Sequence, residues 1–288
     1  MQGRTVHGML AYRHAFHAGN HADVLKHLVL MRVLRHLNAK DKGWRYVDTH
    51  AGAGGYSLEG RYAQKKGEFE QGIARLWSRD DLPEPLADYV AQVRRFNGTG
   101  RLEQYPGSPA FAQLLMRPQD QLRLIELHPT DHRILDAYVG TAHGVQVQTG
   151  NGFDLLKGHL PPPTRRGAVL IDPSYEGNGD YPKVVATLRD AVQRFADGTF
   201  MVWYPQVSKL EAAQLPRRLE AIAPKGWLHA RLTVAKVDNK GFGLAGSGMF
   251  VINPPFTLHA ELQLLLPLLV ELLGQIEKAS FLLEQKAA

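Results

Sequence analysis

Four acid- or amide-bearing runs, each closing a short apolar stretch, are where this sequence could do chemistry. The first is Asp48-Thr49-His50-Ala51-Gly52-Ala53-Gly54-Gly55. A carboxylate followed by small residues lets the backbone approach a ligand closely. The run also reads as a plain tight turn, and it is a poor dinucleotide fingerprint because Ser57 stands at the third glycine position. The second is Glu126, closing Leu124-Ile125, where a carboxylate can accept two hydrogen bonds from a ribose diol. The third is Asn151-Gly152-Phe153-Asp154, whose amide could meet the exocyclic amine of an adenine or simply cap a helix. The fourth is Asp172-Pro173-Ser174-Tyr175, at the end of Gly167–Ile171.

This fourth run resembles the Asp/Asn-Pro-Pro-Tyr motif of methyltransferases that act on adenine N6 or cytosine N4. Such an amine is a poor nucleophile, because its lone pair is delocalised into the ring. Acceptors at Asp172 and the Pro173 carbonyl would bind its two N–H groups and stabilise the charge that develops on nitrogen. Tyr175 would stack on the base. Ser174 stands where the motif has a second proline. A rival, Asn253-Pro254-Pro255-Phe256, matches the motif better letter by letter. Chain order favours Asp172, which ends the fourth apolar run, beside the first across the switch point of a doubly wound sheet.

Seven β-rich runs must carry these residues: Trp44–Asp48, Leu122–Glu126, Val145–Thr149, Ala168–Asp172, Phe200–Tyr204, Leu228–Val237 and Met249–Asn253. Helical patterns at Ala22–Leu37, Thr130–Val139, Tyr181–Phe195 and Ser208–Ile222 separate most of them. This alternation predicts an α/β, Rossmann-like fold with a seven-stranded, mostly parallel sheet. The last two runs lack an intervening helix, which predicts an antiparallel hairpin. Between Gly55 and Pro106 no strong strand stands out, while Glu68–Trp77 and Glu84–Phe96 read as helices. A connection this long predicts an inserted helical subdomain at 56–104, within a main domain of 9–55 and 105–288. Residues 1–8 read as an N-terminal extension or tag.

The chain has 288 residues, 44% of them hydrophobic and 22% charged, an ordinary globular mix. It has no cysteine, which excludes disulfides, thiolate nucleophiles and Cys-ligated metals. Net charge is +6, and residues 1–50 supply most of it, with eight Lys/Arg against three acids. A basic start suits a polyanionic partner. His14, His17 and His21 suggest a metal, but without Cys and with only Asp23 nearby they read better as part of an RNA- or cofactor-facing segment; no metal is expected. Leu262–Leu273 is too short and interrupted to cross a membrane and reads as a core helix.

Taken together, Tyr12–His27, Asp48–Gly54, Tyr105–Pro109, Ile125–Pro129 and Arg165–Tyr175 resemble the large-subunit ribosomal RNA adenine-N6 methyltransferases of the RlmJ type, from Met9 onwards. The resemblance implies a class I methyltransferase fold with S-adenosylmethionine as cofactor. It implies cofactor contacts at His27, His50, Ser108, Glu126, Asn151, Gly152 and Asp172, with Asn151 where the family commonly has Asp. It implies catalysis by Asp172 with Pro173 and Tyr175, and RNA contact at Tyr12, with Arg13 and His14 beside it. It also implies a cytoplasmic monomer acting on protein-free or early-assembly ribosomal RNA. Two other functions fit the motifs: a DNA amino-methyltransferase, since the motif recognises an amine and not a sugar, and a non-catalytic RNA-binding protein on the same fold.

Overall fold

The computed structural model describes residues 17–59, 67–98, 100–177, 179–237 and 244–287. Its architecture grows from a helix buried on nearly every side. α1 (His21–Asn38) opens with Asn20, whose side chain accepts from the backbone N–H groups of Ala22 and Asp23. Val24, Leu25, Leu28, Val29, Met31 and Leu34 are all fully buried. Such all-round burial needs partners on several faces, and α1 lies against the sheet and three further helices.

The sheet has eight strands, in the order β10-β8-β9-β7-β6-β1-β4-β5. β1 (Arg45–Asp48), β4 (Gln121–Glu126), β5 (Val145–Thr149), β6 (Gly167–Ile171) and β7 (Thr199–Gln206) run parallel. β8 (Trp227–Thr233) and β9 (Gly246–Ile252) form the expected antiparallel pair. The eighth strand, β10 (Ser280–Lys286), corrects the expectation of seven. It is an edge strand with only Leu282 and Leu283 half-buried and the rest exposed, so it shows little of the apolar contrast that reveals a strand in sequence. Shortly before it, α9 (Leu258–Leu273) packs Leu258, Leu262, Leu265, Leu266, Leu269 and Leu273 into the core despite Pro267. Among the described residues no helix is long and apolar enough to cross a membrane.

Residues 56–104 begin and end in two three-residue strands, β2 (Gly55–Ser57) and β3 (Gln104–Pro106), which pair antiparallel. They are too short to show any periodicity in sequence. Between them α2 (Ala74–Trp77) and α3 (Glu84–Asn97) bury Leu76, Leu86, Tyr89, Val90 and Val93 in the same apolar cluster as α1. β6 is buried at every position and separates this cluster from a second one, which packs α7 (Asp180–Arg194) and α8 (Leu210–Glu220) on the other face.

β1 lies between β4 and β6. The chain leaves β1 towards one side and returns on the other, so a crevice opens at the carboxyl ends of β1, β4 and β6. Asp48, Glu126 and Asp172 all sit at this edge.

Candidate active site

The centre of the crevice is an ion-paired triad. Asp172 follows β6, and its Oδ2 lies 2.7 Å from Lys26 Nζ on α1. The same ammonium lies 2.8 Å from Asp23 Oδ1, one helical turn away. Asp23 is anchored in turn by the Gly19 N–H. Burial opposes the Lys26 charge, but Asp172 and Asp23 outweigh it and hold the ammonium well above the usual lysine range. Lys26 is therefore a permanent cation that keeps Asp172 oriented. The sequence reading missed it: the pair spans 146 residues, and nothing in the local pattern of a buried helix signals it.

Next to it stands Asp48, fully buried at the end of β1. Its Oδ2 accepts from the Ser108 hydroxyl at 2.7 Å and from the Tyr46 hydroxyl at 2.8 Å. Burial raises its carboxyl to about 6 despite these hydrogen bonds. The loop beyond passes through positive φ at Gly52 and Gly54. Glu126 holds that loop: Oε2 accepts from the Gly52 N–H at 2.7 Å, and Oε1 from the His128 N–H at 2.6 Å. Burial raises the Glu126 pKa.

The remaining expected residues fall around these three acids. Asn151 caps α6 (Gly152–Leu155), its Oδ1 accepting from the Phe153 N–H, so the capping alternative is realised. Gly152 is demanded by close approach, since a Cβ there would lie 1.9 Å from the Thr49 carbonyl oxygen. His50 is half-buried, its ring edge-on to Phe153, and burial lowers its pKa, which keeps the imidazole neutral. His27 is buried one layer deeper, with Nδ1 2.7 Å from the Tyr105 hydroxyl and its ring against Phe111.

Tyr175 differs from the open stacking platform expected of it. It is only 3% exposed, its ring packs against Tyr181, and its hydroxyl donates to the Trp203 carbonyl. Its φ of 52° places it in the left-handed region, and Lys209 Nζ donates to its carbonyl. A turn held in this way stores backbone strain next to Asp172. Trp203 is half-buried, and its ring lies 5.8 Å from Lys26 Nζ. Its buried indole N–H has no hydrogen-bond partner among the described residues.

Strand direction sets the rival motif apart from Asp172. β9 runs antiparallel to β7 and pairs Ile252 with Phe200, at the start of β7. Asn253 therefore lies at the amino edge of the sheet, opposite Asp172. Its Nδ2 donates to the Ala196 and Gly198 carbonyls.

The family model described as "RsmJ: Ribosomal RNA large subunit methyltransferase D, RlmJ" matches residues 41–282. The chain belongs to this family. Two relatives, both called ribosomal RNA large subunit methyltransferase J, are 46% identical to it. The one from Escherichia coli aligns over 90% of this chain and 92% of its own length, and the one from Haemophilus influenzae over 92% and 94%. The crystal structure of protein LPL1258 from Legionella pneumophila superimposes with a TM-score of 0.86 at 36% identity, covering 93% of this chain and 98% of that one. The fold is thus that of a class I methyltransferase, and the protein is a ribosomal RNA methyltransferase.

Tyr12, Arg13 and His14 lie outside the described residues. His17 pairs with Glu68 at 2.8 Å. Among the described residues no group of three or more His, Asp or Glu could hold a metal ion.

Proposed function

We propose that the protein transfers a methyl group from S-adenosylmethionine to the N6 amine of an adenine in large-subunit ribosomal RNA. The observation that carries this reading is the Asp23–Lys26–Asp172 triad at the crevice. It presents a fixed carboxylate acceptor directly before Pro173, where the amine chemistry needs one.

The crevice suits the cofactor in its donor set. Asp48, Glu126 and Asp172 gather three carboxylates around a ligand that carries a sulfonium, an ammonium and a ribose diol. When bound, S-adenosylmethionine supplies an electrophilic methyl group. Glu126 would take the ribose, with His50, Asn151 and Gly152 around the adenine. Asp48, positioned by Ser108, would face the cationic end, and His27 would support this wall from beneath. Asp172 and the Pro173 carbonyl accept the two amine N–H bonds. The amine nitrogen would take the methyl group as the methyl–sulfur bond breaks to leave a neutral thioether, and the Asp172 carboxylate would stabilise the positive charge gained on nitrogen until its proton passes to solvent. Lys26 keeps that carboxylate aimed. Tyr175 and Trp203 border the base. Tyr12, Arg13 and His14 are assigned to the RNA, and residues 56–104 to an inserted helical subdomain. The protein acts as a cytoplasmic monomer on protein-free or early-assembly RNA.

The test is methyl transfer from labelled S-adenosylmethionine to protein-free large-subunit rRNA, followed by digestion to nucleosides. N6-methyladenosine is expected, at one position. Label in duplex DNA but not in RNA would overturn the substrate. Failure to bind the cofactor in calorimetric titration would overturn the enzyme reading.

Two further outcomes follow from the acids. Glu126→Gln should weaken cofactor binding by about 1.5–3 kcal/mol, because the acceptor for the diol loses its charge and one of the two backbone N–H groups it holds loses its acceptor. An unchanged dissociation constant would remove Glu126 from the ribose site. Asp48 predicts a pH dependence. A carboxyl titrating near 6 becomes the anion that a cationic ligand prefers as pH rises. Cofactor affinity should therefore strengthen between about pH 5 and 7 and level off above. Asp48→Asn should flatten that curve. The same raised pKa makes ionised Asp48 costly to the fold as pH rises through about 6, so the apo protein should lose stability over the range in which it gains affinity.

A further inference from the structure

The Asn253-Pro254-Pro255-Phe256 run has no part in the methyl-transfer site, yet it places the most exposed large apolar side chain among the described residues. Phe256 is 86% exposed. Its ring lies 5.5 Å from that of His36, edge-on, in the last turn of α1. Around this platform the amino edge of the sheet is strongly cationic. Lys40, Lys42 and Arg165 are exposed, and Arg45, Arg117, Arg123 and Arg166 are half-buried. Most of the guanidinium groups end on neutral oxygens. Arg166 donates to the Leu37 and Lys42 carbonyls, both at 2.6 Å. Arg45 and Arg123 share the Gln121 amide oxygen, at 2.7 and 3.2 Å. Arg117 is paired with an acid, the buried Asp120, and Arg165 lies close enough to Asp197 to help Lys225 lower that carboxyl's pKa. Asp41 is exposed nearby, Glu261 is held by Arg32, and Asp197 is held by Lys225. Burial first, and then Arg166 and Lys40, lower the His36 pKa against the opposing pull of Glu261.

Uncompensated cations beside an exposed aromatic ring match single-stranded nucleic acid, where phosphates take the charge and a base takes the ring. A duplex would need no ring, and an apolar protein partner would not need the charge. We infer that this edge is a second RNA contact, at which an unpaired nucleotide stacks on Phe256 and its flanking phosphates lie on Lys40, Lys42, Arg165 and Arg166. The inference rests on the ribosomal RNA reading of the active site. β6 separates the two sites by its five residues, roughly 16 Å of strand. An RNA must therefore wrap around the domain to reach both, and only long substrates can do so.

The test compares the parent with Phe256→Ala and with the triple variant Lys40→Glu/Lys42→Glu/Arg165→Glu. Two RNAs serve as probes: a fragment of large-subunit rRNA several hundred nucleotides long, and the shortest stem–loop that the parent still methylates. On the long RNA each variant should bind about ten-fold or more weakly. The slope of log Kd against log salt should fall by about 2 in the triple variant and stay parental in Phe256→Ala. On the stem–loop both variants should keep the parental kcat and KM. Parental affinity for the long RNA in both variants would overturn the second contact. So would an equal loss on the stem–loop, which would place the effect at the active site or in the fold. Self-association of the parent that Phe256→Ala abolishes, with RNA affinity unchanged, would make the edge a protein interface instead. A parent that methylates no RNA would count against the reading of the active site alone, because long-RNA binding still scores the edge.

Discussion

Asp172→Ala should lower kcat by about 10²–10³-fold or more, while the dissociation constant for S-adenosylmethionine changes far less. The asymmetry follows from what the carboxylate does. Its hydrogen bond to the amine strengthens only as the nitrogen becomes positive, so it contributes to the transition state more than to the ground state. Asp172→Asn keeps an acceptor oxygen but loses the 2.7 Å ion pair to Lys26, and its rate should fall between those of parent and Ala variant. Asn253→Ala is the control. It loses two hydrogen bonds to carbonyls at the opposite edge of the sheet, costing about 1–2 kcal/mol of stability, and should methylate at the parental rate. A folded, cofactor-binding Asn253→Ala protein without activity, beside an active Asp172→Ala protein, would place the chemistry at the wrong end of the sheet.

That comparison also marks what could be read from sequence. Most of the β-rich runs are legible because central strands are apolar on both faces, as β6 is at every position, whereas the edge strand β5 shows its alternation of Val and Gln. β10 is not legible, since its side chains are mostly exposed and its pairing with β8 is long-range. Chain order favours Asp172 over Asn253, but the reversed direction of β9, which sets the two at opposite edges, is a property of pairing and not of the motif. The acids at the strand ends were visible because a carboxylate closing an apolar run is conspicuous. Their partners were not. Lys26 looks like one more residue of a helix, and only the tertiary fold brings it to Asp172. Tyr175 shows the reverse limit: the motif supplied the ring, but its burial against Tyr181 depends on α7.

Lys26→Met should be the most damaging change to the fold and to turnover together. Both carboxylates beside Lys26 are sheltered, with side-chain exposures of 2% for Asp23 and 14% for Asp172. Removing the shared cation leaves them facing each other with no compensating charge, which costs about 3–5 kcal/mol. Against a total stability of about 5–15 kcal/mol the protein should remain folded at low temperature, with its denaturation midpoint clearly lowered. The kinetic consequence separates positioning from mere support. Without the ammonium, Asp172 loses the 2.7 Å contact that fixes its carboxylate beside Pro173, and a misaligned acceptor should lower kcat far more than it raises KM. Lys26→Arg keeps the charge in a bulkier head and should restore stability more fully than rate. A Lys26→Met enzyme that loses stability but keeps the parental kcat would reduce the lysine to a structural ion pair.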